Sequence, residues 1–154
     1  MSARLATLIA LVATLLYTSS GTGAERSADE GTVRTVLEML GAEARFASDA
    51  AVLPPAGEGA LARLIERLER HGELLSIRVV GHSDSRGPAD YNLHLSARRA
   101  EHVSAAIARR YPAVPLISSG AGESTPRASN ATPAGRARNR RVEIHIVART
   151  GGRR

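Results

Sequence analysis

The 154 residues include no cysteine, no tryptophan and, although 21 are basic, no lysine. Without cysteine there is no disulfide framework, no thiolate nucleophile and no lipid-bearing cysteine within this sequence. Without lysine there is no P-loop, and Gly120-Ala121-Gly122-Glu123 falls short of a dinucleotide loop because Thr125 stands where the third glycine is required. One phenylalanine and three tyrosines are the only aromatic residues. The core must therefore be built from Leu, Ile, Val and Ala, and a nucleic-acid binder would lack rings on which to stack bases. The longest apolar run, residues 5–16, is shorter than the ~20 residues that cross a bilayer comfortably. The alternating strands of an outer-membrane barrel are also missing.

What is present is positive charge in one chemical form. All 21 basic residues are arginine and the formal net charge is +6. Arginine offers a rigid fork of donors suited to carboxylate and phosphate. A basic surface of this kind suits nucleic acid, anionic lipid or an anionic cell wall equally well.

The first 24 residues have the layout of a signal peptide: Arg4, an apolar stretch, then YTSSGTGA with small residues Thr22 and Ala24 before a cut. Export is expected, with an uncleaved anchor as the alternative. Residues 25–41 read as a linker or short helix, because Val33, Val36, Leu37 and Leu40 recur at helical spacing. A strand is the alternative there. Ala44-Arg45-Phe46-Ala47 fits a short strand, followed by a loop carrying Asp49. After Pro54-Pro55, Leu61, Leu64, Ile65 and Leu68 form the core-facing stripe of a helix that Gly72 ends.

The most informative stretch is residues 77–103, IRVVGHSDSRGPADYNLHLSARRAEHV. It reads as a buried strand, a polar loop and a helix with Ser96 as its N-cap. Asp84 then lies at a strand's C-terminal end and Arg99 in the first turn of the helix, so a carboxylate and a guanidinium can converge on one ligand. Leu95, Ala100, Val103 and Ile107 form the buried side of that helix, and Tyr111-Pro112 terminates it. Leu116-Ile117-Ser118-Ser119 reads as a strand, and residues 124–138 as a polar loop with one helical turn near 133–138. Val142, Ile144 and Ile146 alternate with Glu143, His145 and Val147 as in a half-buried strand. His82, His94 and His102 do not make a zinc site, which needs three or four ligands with an ordered second layer of support. No metal or other cofactor is expected. His82 is assigned to loop stabilisation by hydrogen bonding.

Gly81-His82-Ser83-Asp84, Gly87, Tyr91-Asn92, Leu95-Ser96 and Arg99-Ala100 resemble, in order and spacing, the central motif of the OmpA-like peptidoglycan-binding domain. Gly120, Gly122-Glu123, Pro126 and Asn139-Arg140-Arg141-Val142-Glu143-Ile144 resemble its second half. The resemblance covers roughly residues 42–148 and leaves 149–154 as a disordered tail. It implies an α+β fold, two main helices on a mixed four-stranded sheet, and non-covalent binding of the diaminopimelate side chain of the wall's stem peptide. It further implies that Asp84 takes the ammonium and Arg99 the carboxylate, with Asn92, Ser83, Arg140 and Asp49 bordering the pocket. Ser83 stands where threonine is commoner in the family, and Arg86 adds positive charge at the rim. The implied setting is the periplasm, in association with the outer membrane. The implied partners are peptidoglycan and, through residues 33–40, envelope proteins. No nucleophile with an adjacent base and no paired carboxylates for sugar cleavage are evident, so an enzyme is not expected. The rival function is a membrane-anchored, stator-like component with an uncleaved N-terminal helix.

Overall fold

In the computed structural model, described for residues 31–41, 44, 46–47 and 49–150, the strongest local signals become the elements they predict. Strand β1 is Val33–Leu40 and helix α1 is Pro55–Leu68, extended by a 3-10 turn over Glu69–His71. Strand β2 is Glu73–Gly81, helix α2 Ala89–Arg110 and strand β3 Leu116–Gly120. Helix α3 is Pro133–Asn139 and strand β4 Val142–Arg149. The sheet order is β1-β4-β2-β3. β4 runs antiparallel to both neighbours, and β2 and β3 are parallel. The fold is α+β with a mixed four-stranded sheet, as expected.

Strand alternation decides where the core sits. Ile77 and Val79 of β2, with Val142, Ile144, Ile146 and Ala148 of β4, are buried. Leu61, Leu64 and Leu68 of α1 and Leu95, Ala100, Val103 and Ile107 of α2 are buried too, as their spacing predicts.

The spacing of residues 33–40 misleads. They form β1, not a helix, and pair with β4 over their whole length from Val33↔Arg149 to Leu40↔Val142. The open edge of β4 offers a row of backbone donors and acceptors, and satisfying them outweighs the local periodicity. Leu40 is buried, whereas Leu37, on the opposite face, is 48% exposed. Glu38 faces α1, where Arg67 Nε and His71 Nε2 lie 3.2 and 3.0 Å from its carboxylate. β1 is thus part of the domain's sheet, and residues 33–40 are neither linker nor helix. Among the described residues of the segment expected as a strand, Ala44 lies in a helical turn and Phe46 and Ala47 are in no strand. Arg149 and Thr150, expected in a disordered tail, are ordered instead: Arg149 pairs in β4 and the Thr150 N–H donates to Thr32 O at 3.0 Å, while residues 151–154 lie outside the described residues. The expected signal peptide, residues 1–24, lies outside the described residues. Among the described residues no helix is long and apolar enough to cross a membrane.

Helix α2 begins at Ala89 with Pro88 as its extended N-cap. Ser96 is therefore not the cap. It lies inside the helix, where its Oγ donates to Leu93 O at 2.8 Å and accepts the Gly122 N–H at 2.9 Å, tying the loop after β3 to α2. Sheet and helix approach so closely here that only glycine fits. A Cβ on Gly81 would lie 1.9 Å from Ser96 O, and one on Gly120 2.5 Å from Leu93 O. Gly81→Ala must push α2 off the sheet. The expected cost is about 3 kcal/mol, at the upper end for overpacking. Thermal melting followed by far-UV circular dichroism suits a chain without tryptophan, and an unchanged melting temperature would contradict the close contact.

Candidate functional site

β2 ends at Gly81 and delivers His82, Ser83 and Asp84 into a loop crossed by residues from three other parts of the chain. Backbone bonds hold it: His82 N–H to Arg141 O and Ser83 N–H to Gly122 O, each 2.9 Å. Asn139, fully buried, organises the polar loop alongside. Its Oδ1 accepts the N–H groups of Arg127 and Ala128, and its Nδ2 donates to Ala128 O and Asn130 Oδ1. Asn130 Oδ1 in turn accepts the Ser85 N–H.

Asp84 is only 5% exposed, and its carboxylate receives four donors. Oδ1 accepts the backbone N–H of Arg86 at 3.1 Å and its Nε at 3.2 Å. Oδ2 accepts Arg86 Nη2 at 3.1 Å and Arg140 Nη1 at 2.8 Å. Burial would raise the Asp84 pKa, but these bonds from Arg86 and Arg140 outweigh it and bring the group down to about 2. Arg140 reaches this position from the end of α3, and its Nε also donates to Phe46 O at 3.0 Å.

Arg99 is completely buried. Because α2 starts at Ala89, Arg99 lies in the third turn, not the first, and cannot draw on the helix terminus to attract an anion. Among the described residues, its guanidinium donates to three backbone carbonyls: Ala50 O at 2.9 Å, Ala47 O at 2.7 Å and His82 O at 3.3 Å. It also stacks over the Phe46 ring, 5.1 Å from the centroid. Burial first, then the Arg140 charge, pushes its pKa down to about 10, while Asp84 and Asp49 pull it back up. It stays a cation at neutral pH. Arg99 is thus the clamp that binds the segment carrying Asp49 to β2 and α2.

Asp49, Arg86, Gly87, Pro88 and Tyr91 line an open cleft of about 470 Å³ beside these groups. Gly87 has φ +91, a left-handed turn that favours glycine. Asn92 is buried and donates from Nδ2 to Glu123. Ser83 is buried, and its Oγ has no hydrogen-bond partner among the described residues. The structure therefore gathers Asp84, Arg140, Arg99 and Asp49 around one corner, with Ser83 beside Asp84 in the chain and Asn92 committed to Glu123. The contact that sequence reading missed is the one from Arg86 to Asp84. The available signal was the short Asp-x-Arg spacing before the Gly87-Pro88 turn, which allows an Asx-type loop closed by the arginine itself.

His82 performs the loop role expected of it. Its Nδ1 is 3.1 Å from Thr125 Oγ1, and its carbonyl accepts from Arg99. Burial, reinforced by the Arg141 charge, lowers its pKa to about 4 even though Glu143 opposes the shift, so the ring is neutral at pH 7. Among the described residues no group of three His, Cys, Asp or Glu side chains could hold a metal ion.

Comparison with known proteins places this geometry. The sequence model of the OmpA family matches residues 45–140. Outer membrane porin F of Pseudomonas fluorescens is 39% identical over 107 residues, 69% of this chain and 32% of that protein. The peptidoglycan-binding protein ArfA of Mycobacterium tuberculosis is 39% identical over 109 residues, 70% of this chain and 33% of that protein. The chain thus spans about a third of the length of these two relatives. Among solved structures, the cell wall anchor of the T6SS from Pseudomonas aeruginosa superimposes with a TM-score of 0.64 at 31% identity, covering 79% of this chain and 90% of that one. A putative MotB like protein from Desulfovibrio vulgaris gives a TM-score of 0.60 at 30% identity, covering 77% and 75%. A family match across more than half the chain, on a fold that places the motif residues in one corner, leads to a single conclusion: this protein belongs to the OmpA family.

Proposed function

We propose that the domain binds peptidoglycan non-covalently through the cleft beside Asp84, anchoring or organising the cell envelope from the periplasmic side. The observation that carries this reading is the juxtaposition of a buried, ionised carboxylate with the guanidinium groups of Arg140 and Arg99. The end of a diaminopimelate side chain carries one ammonium and one carboxylate. Asp84 receives the ammonium and Arg140 the carboxylate, while Arg99, fully buried with its guanidinium on backbone carbonyls, positions the corner without touching the ligand. Arg140, with its side chain 18% exposed, is the accessible one of the two guanidinium groups, and Arg99 is completely buried. Asp49 and Tyr91 line the cleft, and Ser83 and Asn92, each next to one of these groups in the chain (Asp84 and Tyr91), are buried. The names of similar proteins support this reading, since one is a peptidoglycan-binding protein and another a cell wall anchor. Those names describe binding and anchoring rather than catalysis, and among the described residues the corner holds no nucleophile poised beside a base.

Co-sedimentation with purified sacculi tests the proposal. The protein is expected in the pellet and is expected to be released by a soluble stem tripeptide ending in meso-diaminopimelate. Protein that stays in the supernatant would overturn the reading.

A further inference from the structure

The Asp84 carboxylate has about four acceptor positions, and the four donors described above fill them. Two come from the Arg86 side chain, one on each oxygen, so the arginine two residues on holds the carboxylate in a fork. An incoming ammonium finds no vacant lone pair. Some donor must leave before it can bind.

The donors are not equally held. The Arg86 backbone N–H is part of the turn. Arg140 is mostly covered and also anchored on Phe46 O. The Arg86 side chain is 52% exposed, lies on the cleft wall and is the most readily solvated of the three. Water competes for the exposed guanidinium, and the long arginine side chain gains freedom on release. Asp49 lines the same cleft and gives the departing guanidinium a second carboxylate nearby.

We infer that Arg86 is an intramolecular competitor for the ammonium site, a built-in occupant that a ligand must displace from Asp84 and that sets the affinity of the cleft. This rests on the proposed peptidoglycan reading and deepens it. It makes the residue after Ser85 a determinant of binding strength, with no direct contact to the ligand's ammonium. The opposite role, in which Arg86 grips the ligand carboxylate, predicts the opposite sign on mutation.

The test is calorimetric titration of the full-length chain and its Arg86→Ala and Arg86→Gln variants with the tripeptide L-Ala-γ-D-Glu-meso-diaminopimelate. Arg86 is on an exposed turn, so both variants are expected to fold. Both should bind roughly two- to fivefold more tightly than wild type, the range expected for removing a competing ion pair worth up to about 1 kcal/mol. In the absence of ligand, the Asp84 carboxyl, followed by NMR, should titrate at higher pH in both variants. Equal or weaker binding by the variants, with wild type still binding, overturns the inference and leaves the function standing. No binding by any of the three overturns the function and the inference together. An unmoved Asp84 titration overturns the inference independently of any ligand.

Discussion

Arg99→Ala is expected to destabilise the domain by about 3–5 kcal/mol, the range for breaking a buried charged network. The loss is that large because the side chain is wholly buried and its donors satisfy three carbonyls on two separate segments. Removing it leaves Ala47 O, Ala50 O and His82 O without that donor, strips the cation from the Phe46 ring and opens a cavity. Against a total stability of about 5–15 kcal/mol for an ordinary domain, that is a large fraction. Urea denaturation followed by circular dichroism measures it. Arg99→Lys is expected to recover only part of the loss, since an ammonium keeps the charge but cannot reproduce the planar fork that reaches both segments. A full recovery by lysine would mean that charge alone, and not the geometry of the clamp, holds residues 47–50 in place. Wall binding is expected to fall in both variants, because the cleft wall bearing Asp49 is held by the same bonds.

Asp84→Ala is expected to remove binding to sacculi while leaving the fold in place. Truncating one partner of a buried, hydrogen-bonded charge pair costs a complex about 2–5 kcal/mol, or roughly 30-fold or more in affinity. Asp84→Asn is the sharper variant, because it keeps the volume and removes the charge. It should lose binding nearly as fully, whereas a purely structural Asp84 would tolerate the amide. The same residue carries a pH signature. Its folded pKa, about 2, lies below the ordinary value of 3.8. Its contribution to stability is therefore fully present above about pH 4 and disappears as the pH falls through 2. The shift corresponds to about 2 kcal/mol. Urea titrations should show wild type losing stability between pH 4 and pH 2 more steeply than Asp84→Asn. Parallel curves would show that Arg86 and Arg140 do not stabilise the ionised form.

The three arginines around Asp84 have different duties despite identical chemistry. Arg99 is enclosed by backbone oxygens and acts as a structural clamp. Arg140 links Phe46 O to Asp84 and keeps a small part of its side chain exposed. Arg86 is exposed and holds Asp84 from its own turn. Burial and the number of fixed acceptors separate them, and substitution should rank their structural costs in that order.

The sequence by itself determined the family, the sheet's two central strands and both main helices. The reason is local: Val142, Ile144 and Ile146 alternate with period two, and Leu61, Leu64 and Leu68 follow the helical repeat, so each element's buried face is written in consecutive residues. The Asp84 loop was legible for the same reason, as a glycine-marked break after a strand.

Tertiary structure alone decided the rest. Residues 33–40 became a strand because β4, more than 100 residues later, had an edge to pair. Ser96 ceased to be a cap because Pro88 started the helix earlier and Gly122 claimed its hydroxyl. Arg99 is buried because carbonyls 49 and 52 residues away close over it, and Asp84 meets Arg140 across 56 residues. Such contacts depend on where distant segments arrive after the chain has collapsed, which no local periodicity encodes. Motif spacing brought Asp84 and Arg99 to one corner. Burial, and the competition among donors for a single carboxylate, set what each can do there.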